Sequence, residues 1–131
     1  MTRDEVQRWL DDYVLAWKSY DAEQIGALFS ENATYLYHPF DTDPLVGRDA
    51  IVGDWLENRD EPGSYEGAYQ VYAVDGDRAV AVGQSRYMNP DGSFRTLYYN
   101  AYLLRFDAEG RCDEFTEYFM ELPERLRSTR A

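Results

Sequence analysis

The chain is poor in the residue types on which several common chemistries depend. Its 131 residues include one cysteine, Cys112, and one histidine, His38. A lone cysteine excludes an internal disulfide and is compatible with a reducing cytosol. His38, Asp41 and Asp43 come nearest to a metal-binding cluster. They lie in one proline-bearing loop and no second cluster completes a ligand set, so no metal is expected. A phosphate-binding glycine loop and a dinucleotide fingerprint are both missing, so no cofactor is expected. Positive charge is scarce, with 13 Lys and Arg against 25 Asp and Glu, a net charge of −12. No basic stripe offsets it, which argues against nucleic acid and against anionic membranes as partners. No apolar run approaches the ~20 residues that span a bilayer. The segment from Met1 to Leu10 is charged and has no signal-peptide core. A soluble cytoplasmic protein is expected.

What the chain does have is apolar and aromatic bulk. Hydrophobic residues make up 44% and aromatic residues 16%, including 12 tyrosines. This composition folds rather than remaining disordered. A chain of this length fits one domain and buries roughly two-thirds of its unfolded surface. Tyrosine joins an apolar ring to a polar tip, which suits a half-polar cavity wall, although tyrosines are also ordinary strand residues.

Helical periodicity dominates the first third. Thr2 and Glu5 have capping-box spacing. Val6, Trp9, Leu10, Tyr13, Val14 and Trp17 then form one apolar stripe. Asp21 and Gln24 repeat the cap pattern before a short helix bearing Ile25, Leu28 and Phe29. Ala33 to His38 reads as a strand that Pro39 ends. Gly47-Arg48-Asp49 opens a third helix, with Ile51, Val52, Trp55 and Leu56 on one face and Gly53 weakening it. From Tyr65 the period becomes strand-like. Tyr65–Val74, Arg78–Met88, Phe94–Phe106 and Arg111–Phe119 are separated by Asp75-Gly76-Asp77, Asn89-Pro90-Asp91-Gly92 and Asp107-Ala108-Glu109-Gly110. Such turn clusters make hairpins, so the four strands form an antiparallel meander. From Leu122 the chain reads as a polar tail.

The expected fold is therefore α+β, with residues 1–131 as a single domain. About three N-terminal helices pack on a strongly curved, mainly antiparallel sheet in a cone-shaped, barrel-like arrangement. Helices closing the concave side of a curved sheet leave a hollow where small-molecule sites form.

The order and spacing of Tyr13-Val14, Trp17, Asp21, Ile25, Leu28-Phe29, Asn32-Ala33-Thr34, His38-Pro39 and Gly47-Arg48-Asp49-Ala50-Ile51 resemble the SnoaL-like, nuclear-transport-factor-two-like superfamily. The Phe29-x-x-x-Ala33-Thr34 segment and the Gly47-Arg48-x-Ala50-Ile51 helix opening carry most of the likeness, and the meander matches the rest. The superfamily includes ketosteroid isomerases, polyketide cyclases, dehydratases, epoxide hydrolases and binding modules, so the resemblance implies a fold and leaves activity open. It implies that Tyr13 takes the place of an oxyanion-stabilising tyrosine, although Tyr13 is also in phase with the apolar stripe. Where the isomerases carry a basic carboxylate this chain reads Leu36-Tyr37-His38-Pro39, and where they carry a second acid it has Tyr102. Both departures tell against steroid isomerase chemistry.

The candidate acid–base residues are His38 and Glu117. An imidazole ordinarily exchanges protons near neutral pH, but strand alternation turns His38 away if Tyr35 and Tyr37 point inward. Glu117 lies between Phe115 and Phe119 on one strand face, and burial of that face would raise its pKa. On Phe94–Phe106, the face with Thr96, Tyr98, Asn100 and Tyr102 is expected to line the cavity, the alternative being that the two faces are swapped. The opposite face, with Leu97, Tyr99, Ala101 and Leu103 between arginines, suits a homodimer contact. Trp17, Tyr35, Tyr37 and Trp55 complete the expected wall. Arg86 is expected to face the cavity and pair with a substrate carboxylate or enolate, or else with Glu117. The expectation is a small-molecule-binding protein, hydrophobic or carbonyl ligands being favoured, with cofactor-free isomerase, cyclase or dehydratase chemistry. The alternative is a non-catalytic binding or dimerisation module.

Overall fold

The computed structural model describes residues 1–127. Its elements are α1 (Arg3–Ser19), α2 (Ala22–Ala27), β1 (Phe29–Leu36), β2 (Leu45–Val46), α3 (Arg48–Glu57), β3 (Tyr65–Asp75), β4 (Arg78–Met88), β5 (Phe94–Phe106), β6 (Cys112–Glu121) and α4 (Glu124–Arg127). The fold is α+β, as the change of period predicts.

Helix α1 begins at a complete capping box. The Thr2 hydroxyl accepts from the Glu5 N–H at 3.1 Å, and the Glu5 carboxylate accepts from the Thr2 N–H at 2.9 Å. Two otherwise orphaned donors are thereby satisfied. The stripe of Val6, Trp9, Leu10 and Tyr13, joined by Ala16, is buried against the sheet. The helix ends at Tyr20, whose left-handed φ of 49° is unusual for a bulky residue. Asp21 caps α2 through the Gln24 N–H, and Gly47, at φ 99°, turns the chain into α3.

The six strands form one sheet in the order β2-β1-β6-β5-β4-β3. The meander β3 to β6 is antiparallel throughout, while β1 runs parallel to β6. The sheet is curved but not closed, so the barrel-like expectation holds only as curvature. Phe29 belongs to β1 rather than to the second helix, because its backbone pairs with Cys112 of β6. The first strand therefore starts earlier than the sequence suggests. It also stops earlier, at Leu36, leaving Tyr37 and His38 in the following bend. The tail is not merely polar. Leu122 is buried, its N–H donates to the Leu97 carbonyl at 2.8 Å, and α4 follows. Residues 128–131 of the expected tail lie outside the described residues.

On β4 the inward residues are Ala79, Ala81, Gly83 and Ser85, all small, opposite the large inward residues of β3 and β5. That row of small side chains lets aromatic rings lie close to the sheet. A Cβ added at Gly83 would stand 2.4 Å from Tyr69 Cδ1 and 2.2 Å from the Ala68 carbonyl oxygen. The core gathers Trp9, Tyr13, Phe29, Tyr35, Phe106 and Phe115 between α1, β1 and the centre of the sheet. Among the described residues no helix is long and apolar enough to cross a membrane.

Candidate functional site

Between the open end of the sheet, the last turn of α1, and α3 with its following loop lies a cavity of about 440 Å³. A more open groove of about 510 Å³ continues from it, the two sharing Tyr37, Asp60, Ser85, Tyr87 and Glu117.

Strand alternation carries Glu117 inward opposite Tyr102, because Phe115 and Phe119 occupy the same face of β6. The Glu117 carboxylate is mostly buried, and burial raises its pKa to about 7 although the Asn100 amide opposes the rise. Asn100 Nδ2 donates to Glu117 Oε2 at 2.9 Å. The Asn100 carbonyl in turn accepts from the Ser85 hydroxyl at 2.8 Å, and Ser85 Oγ lies 2.5 Å from the Tyr69 hydroxyl. Ser85 and Asn100 are both buried. One continuous polar chain thus runs Glu117–Asn100–Ser85–Tyr69 across four neighbouring strands and fixes the carboxylate.

A cluster of tyrosines faces this chain. Tyr13 and Tyr102 are buried, with ring centroids 5.7 Å apart. Tyr69 and Tyr102 centroids are 5.0 Å apart. Burial holds the hydroxyls of Tyr13, Tyr35 and Tyr102 well above the usual phenol range, with the Glu117 carboxylate adding to the effect. They therefore stay protonated at neutral pH and remain hydrogen-bond donors. At the mouth, the Trp17 indole N–H donates to Asp60 Oδ2 at 3.1 Å, and the Asp60 backbone N–H donates to the Tyr20 hydroxyl at 2.9 Å. The Tyr37 hydroxyl donates to Asp54 Oδ2.

The expected wall residues assemble with one exception. Tyr13, Trp17, Tyr35, Tyr37, Trp55, Tyr102 and Glu117 line the cavity. His38, Tyr98 and Asn100 line the adjoining groove. His38 sits past the end of β1, so alternation does not govern it. Its ring stacks on Phe40 at 4.0 Å, and its Nδ1 is buried without a hydrogen-bond partner. Tyr13 is at once a core residue and a cavity residue. Arg86 is the exception. It pairs in register with Glu66 and Leu97 on the outer face of the sheet, and its guanidinium lies 4.5 Å from the Phe94 ring centroid. Alternation puts Ser85 and Tyr87 inward and Arg86 outward, away from the cavity. The residues not foreseen are Tyr20, Asp54, Asn58, Asp60, Tyr69, Ser85 and Tyr87. Tyr65 and Tyr69 shared a strand face in the sequence, a usable signal for Tyr69. Asp54 and Asp60 gave none, since charged helix and loop residues ordinarily face water.

This architecture, a curved sheet and helices around an aromatic hollow with a lone raised carboxylate, defines a small α+β cavity protein. Its family is shown by sequence: a SnoaL-like domain matches residues 6–119, and the chain belongs to that family. No curated protein matches the chain. Among solved structures, the chain is similar to an LEH-like epoxide hydrolase of M. tuberculosis, with TM-score 0.66 and 14% identity over 90% of this chain and 84% of that one. It is equally similar to an NTF-2 like protein of unknown function from Burkholderia xenovorans LB400, with TM-score 0.66 and 15% identity over 95% and 92% of the two chains. At such identities the likeness is one of fold.

Proposed function

We propose that the chain binds a small, largely apolar molecule with a carbonyl group in this cavity and catalyses cofactor-free proton transfer on it, with Glu117 as the acid–base group. The observation that carries this reading is a carboxylate titrating near pH 7, fixed by Asn100 and facing tyrosine hydroxyls across one hollow. At neutral pH both protonation states of such a group are populated, so it can take a proton and return it. Glu117 accepts the proton from the carbon next to the carbonyl. The C–H electron pair moves into the C–C bond, and the carbonyl π pair moves onto oxygen, giving an enolate. The Tyr102 and Tyr13 hydroxyls donate hydrogen bonds to that oxygen. Where a C=C bond adjoins the enolate, Glu117 returns the proton at the far carbon of the conjugated system and the carbonyl re-forms, which gives isomerisation. Where the β-carbon bears a hydroxyl, the enolate pair forms the new C=C bond as the C–O bond breaks, and Glu117 protonates the departing hydroxide to water, which gives dehydration. Asn100 positions the carboxylate, and His38 stands at the groove, nearer solvent.

Exchange of protons for deuterium beside the carbonyl of a panel of cyclic ketones, followed by NMR in D₂O, tests the reading. The protein should accelerate exchange, and Glu117→Gln should lower the acceleration ~10²-fold or more. Equal exchange in the variant discards Glu117, and a further loss in His38→Ala would give His38 a share of the transfer.

A second role for the molecule is supported by its outer sheet face. Tyr99, Leu103, Tyr118 and Met120 are exposed there on adjacent strands, which favours self-association. We propose a homodimer through this face; sedimentation of a monomer at high concentration would remove it.

A further inference from the structure

Proton transfer does not explain the composition of the cavity mouth. Asp54, Asp60 and Glu117 line the cavity, and among the described residues no lysine, arginine or histidine does. Among the described residues each carboxylate is held by neutral donors: Asp54 by the Tyr37 hydroxyl and the Asn58 amide, Asp60 by the Trp17 indole, and Glu117 by the Asn100 amide. Among the described residues no ion pair includes any of the three. Between them stand the rings of Trp17, Tyr20, Tyr37 and Tyr87. Aromatic faces and carboxylates without counter-ions are the two features that attract an organic cation. An anionic ligand would meet these carboxylates at close quarters, Glu117 among them whenever it is ionised.

Three further observations point the same way. The rings at the rim already carry cations on their faces: the Arg59 guanidinium lies 5.6 Å from the Tyr20 centroid, and that of Arg95 lies 5.3 Å from the Tyr87 centroid. Arg95 and His38 line the adjoining groove rather than the cavity, so the interior keeps its negative balance. The field also reaches the tyrosines. Tyr87 and Tyr65 are pushed up first by burial and further by Asp60, Tyr65 to about 12. The net charge of −12 enriches cations around the molecule as a whole.

We propose that the cavity takes a ligand bearing a protonated amine or quaternary ammonium group, seated against Asp60 and Asp54 at the mouth, with its uncharged body directed toward Glu117. The proposal rests on the cavity of the preceding section and sharpens its substrate class, but it does not require that proton transfer occur.

Titration with benzyltrimethylammonium, its neutral carbon isostere neopentylbenzene, and phenylacetate, read by quenching of Trp17 and Trp55 fluorescence, tests it. The ammonium should bind ~10-fold or more tightly than the isostere, with phenylacetate weakest. Asp60→Asn and Asp54→Asn should each weaken the ammonium several-fold, about 3- to 10-fold, and leave the isostere unchanged. The idea is overturned if phenylacetate or the isostere binds as tightly as the ammonium, or if the ammonium does not bind. Unchanged ammonium affinity in both Asn variants also overturns it. The three-probe ranking on the unaltered chain stands even if a variant fails to fold. Ammonium binding without ketone exchange retains this inference and sinks proton transfer. Exchange without ammonium preference does the reverse.

Discussion

At the closed end of the hollow rings meet rings, whereas at its open end rings meet carboxylates. Phe115 is fully buried, stacked on Tyr35 with centroids 4.3 Å apart and on Tyr13 at 5.8 Å. Trp9 meets Phe29 and Phe106 edge-on beside it. At the mouth, Trp17, Tyr20 and Tyr37 direct their polar atoms to Asp60 and Asp54. Tyrosine serves both ends because its ring and its hydroxyl can be used separately. The comparison teaches that ring packing dominates at one end and polar contacts at the other.

The sharpest way to break this division is to remove a ring at the closed end and a hydroxyl at the open end. Phe115→Ala should cost about 3–5 kcal/mol in denaturant unfolding, the usual loss for a fully buried phenylalanine. Tyr37→Phe, at the mouth, should cost under about 1.5 kcal/mol, one hydrogen bond. Equal losses would erase the distinction.

Between the two ends sits Glu117, and pH probes it. Its pKa rises in the fold from an ordinary 4.5 to about 7. Between those values the folded chain keeps a proton that the unfolded chain has released. Its stabilisation is therefore complete below about pH 4.5 and declines as pH rises through about 7, by an amount on the order of 2–3 kcal/mol. Thermal unfolding from pH 4 to pH 8 should show this decline in the natural chain. Glu117→Gln should flatten it, with the variant gaining relative stability at pH 8.

A smaller effect is expected at Gly83→Ala. The new Cβ would press on the Ala68 carbonyl and the Tyr69 ring, costing about 1–3 kcal/mol. It should also disturb the Tyr69–Ser85 contact, visible as a shifted Tyr69 resonance. Smallest is Thr2→Ala, which removes the capping box far from the hollow and should cost about 1 kcal/mol. Ligand affinity should not move.

Local signals set much of this fold. The Thr2 cap, the Val6-to-Trp17 stripe and the turn clusters bounding β4 and β5 are short-range features, and the sequence reading of them stands in the structure. Phe29 misled because it sits four residues after Ile25, in helical phase. Its strand assignment comes from Cys112, a partner remote in the chain. Arg86 misled because the inward face of β4 is made of alanine, glycine and serine. The valines and Arg86 on the other face look no less suited to burial until the rings of Tyr69 and Tyr102 are seen covering the small residues. Glu117 was legible from Phe115 and Phe119 flanking it. Asp54 and Asp60 were not, because only the arrival of Tyr37, Trp17 and Tyr20 in space makes them part of a wall.

Size and chemistry are drawn from neighbouring strands of this sheet. The proton-bearing groups project from β5 and β6, while the nearness of the Tyr69 ring to the sheet is set by atoms that β4 lacks at Ala79, Ala81 and Gly83. A methyl gained at Gly83 would meet the Ala68 carbonyl and the Tyr69 ring, narrowing the space beneath α1 and at the same time straining the Tyr69–Ser85–Asn100 chain that holds Glu117. The girth of the hollow and the setting of its proton are thus tied together through one strand of small residues.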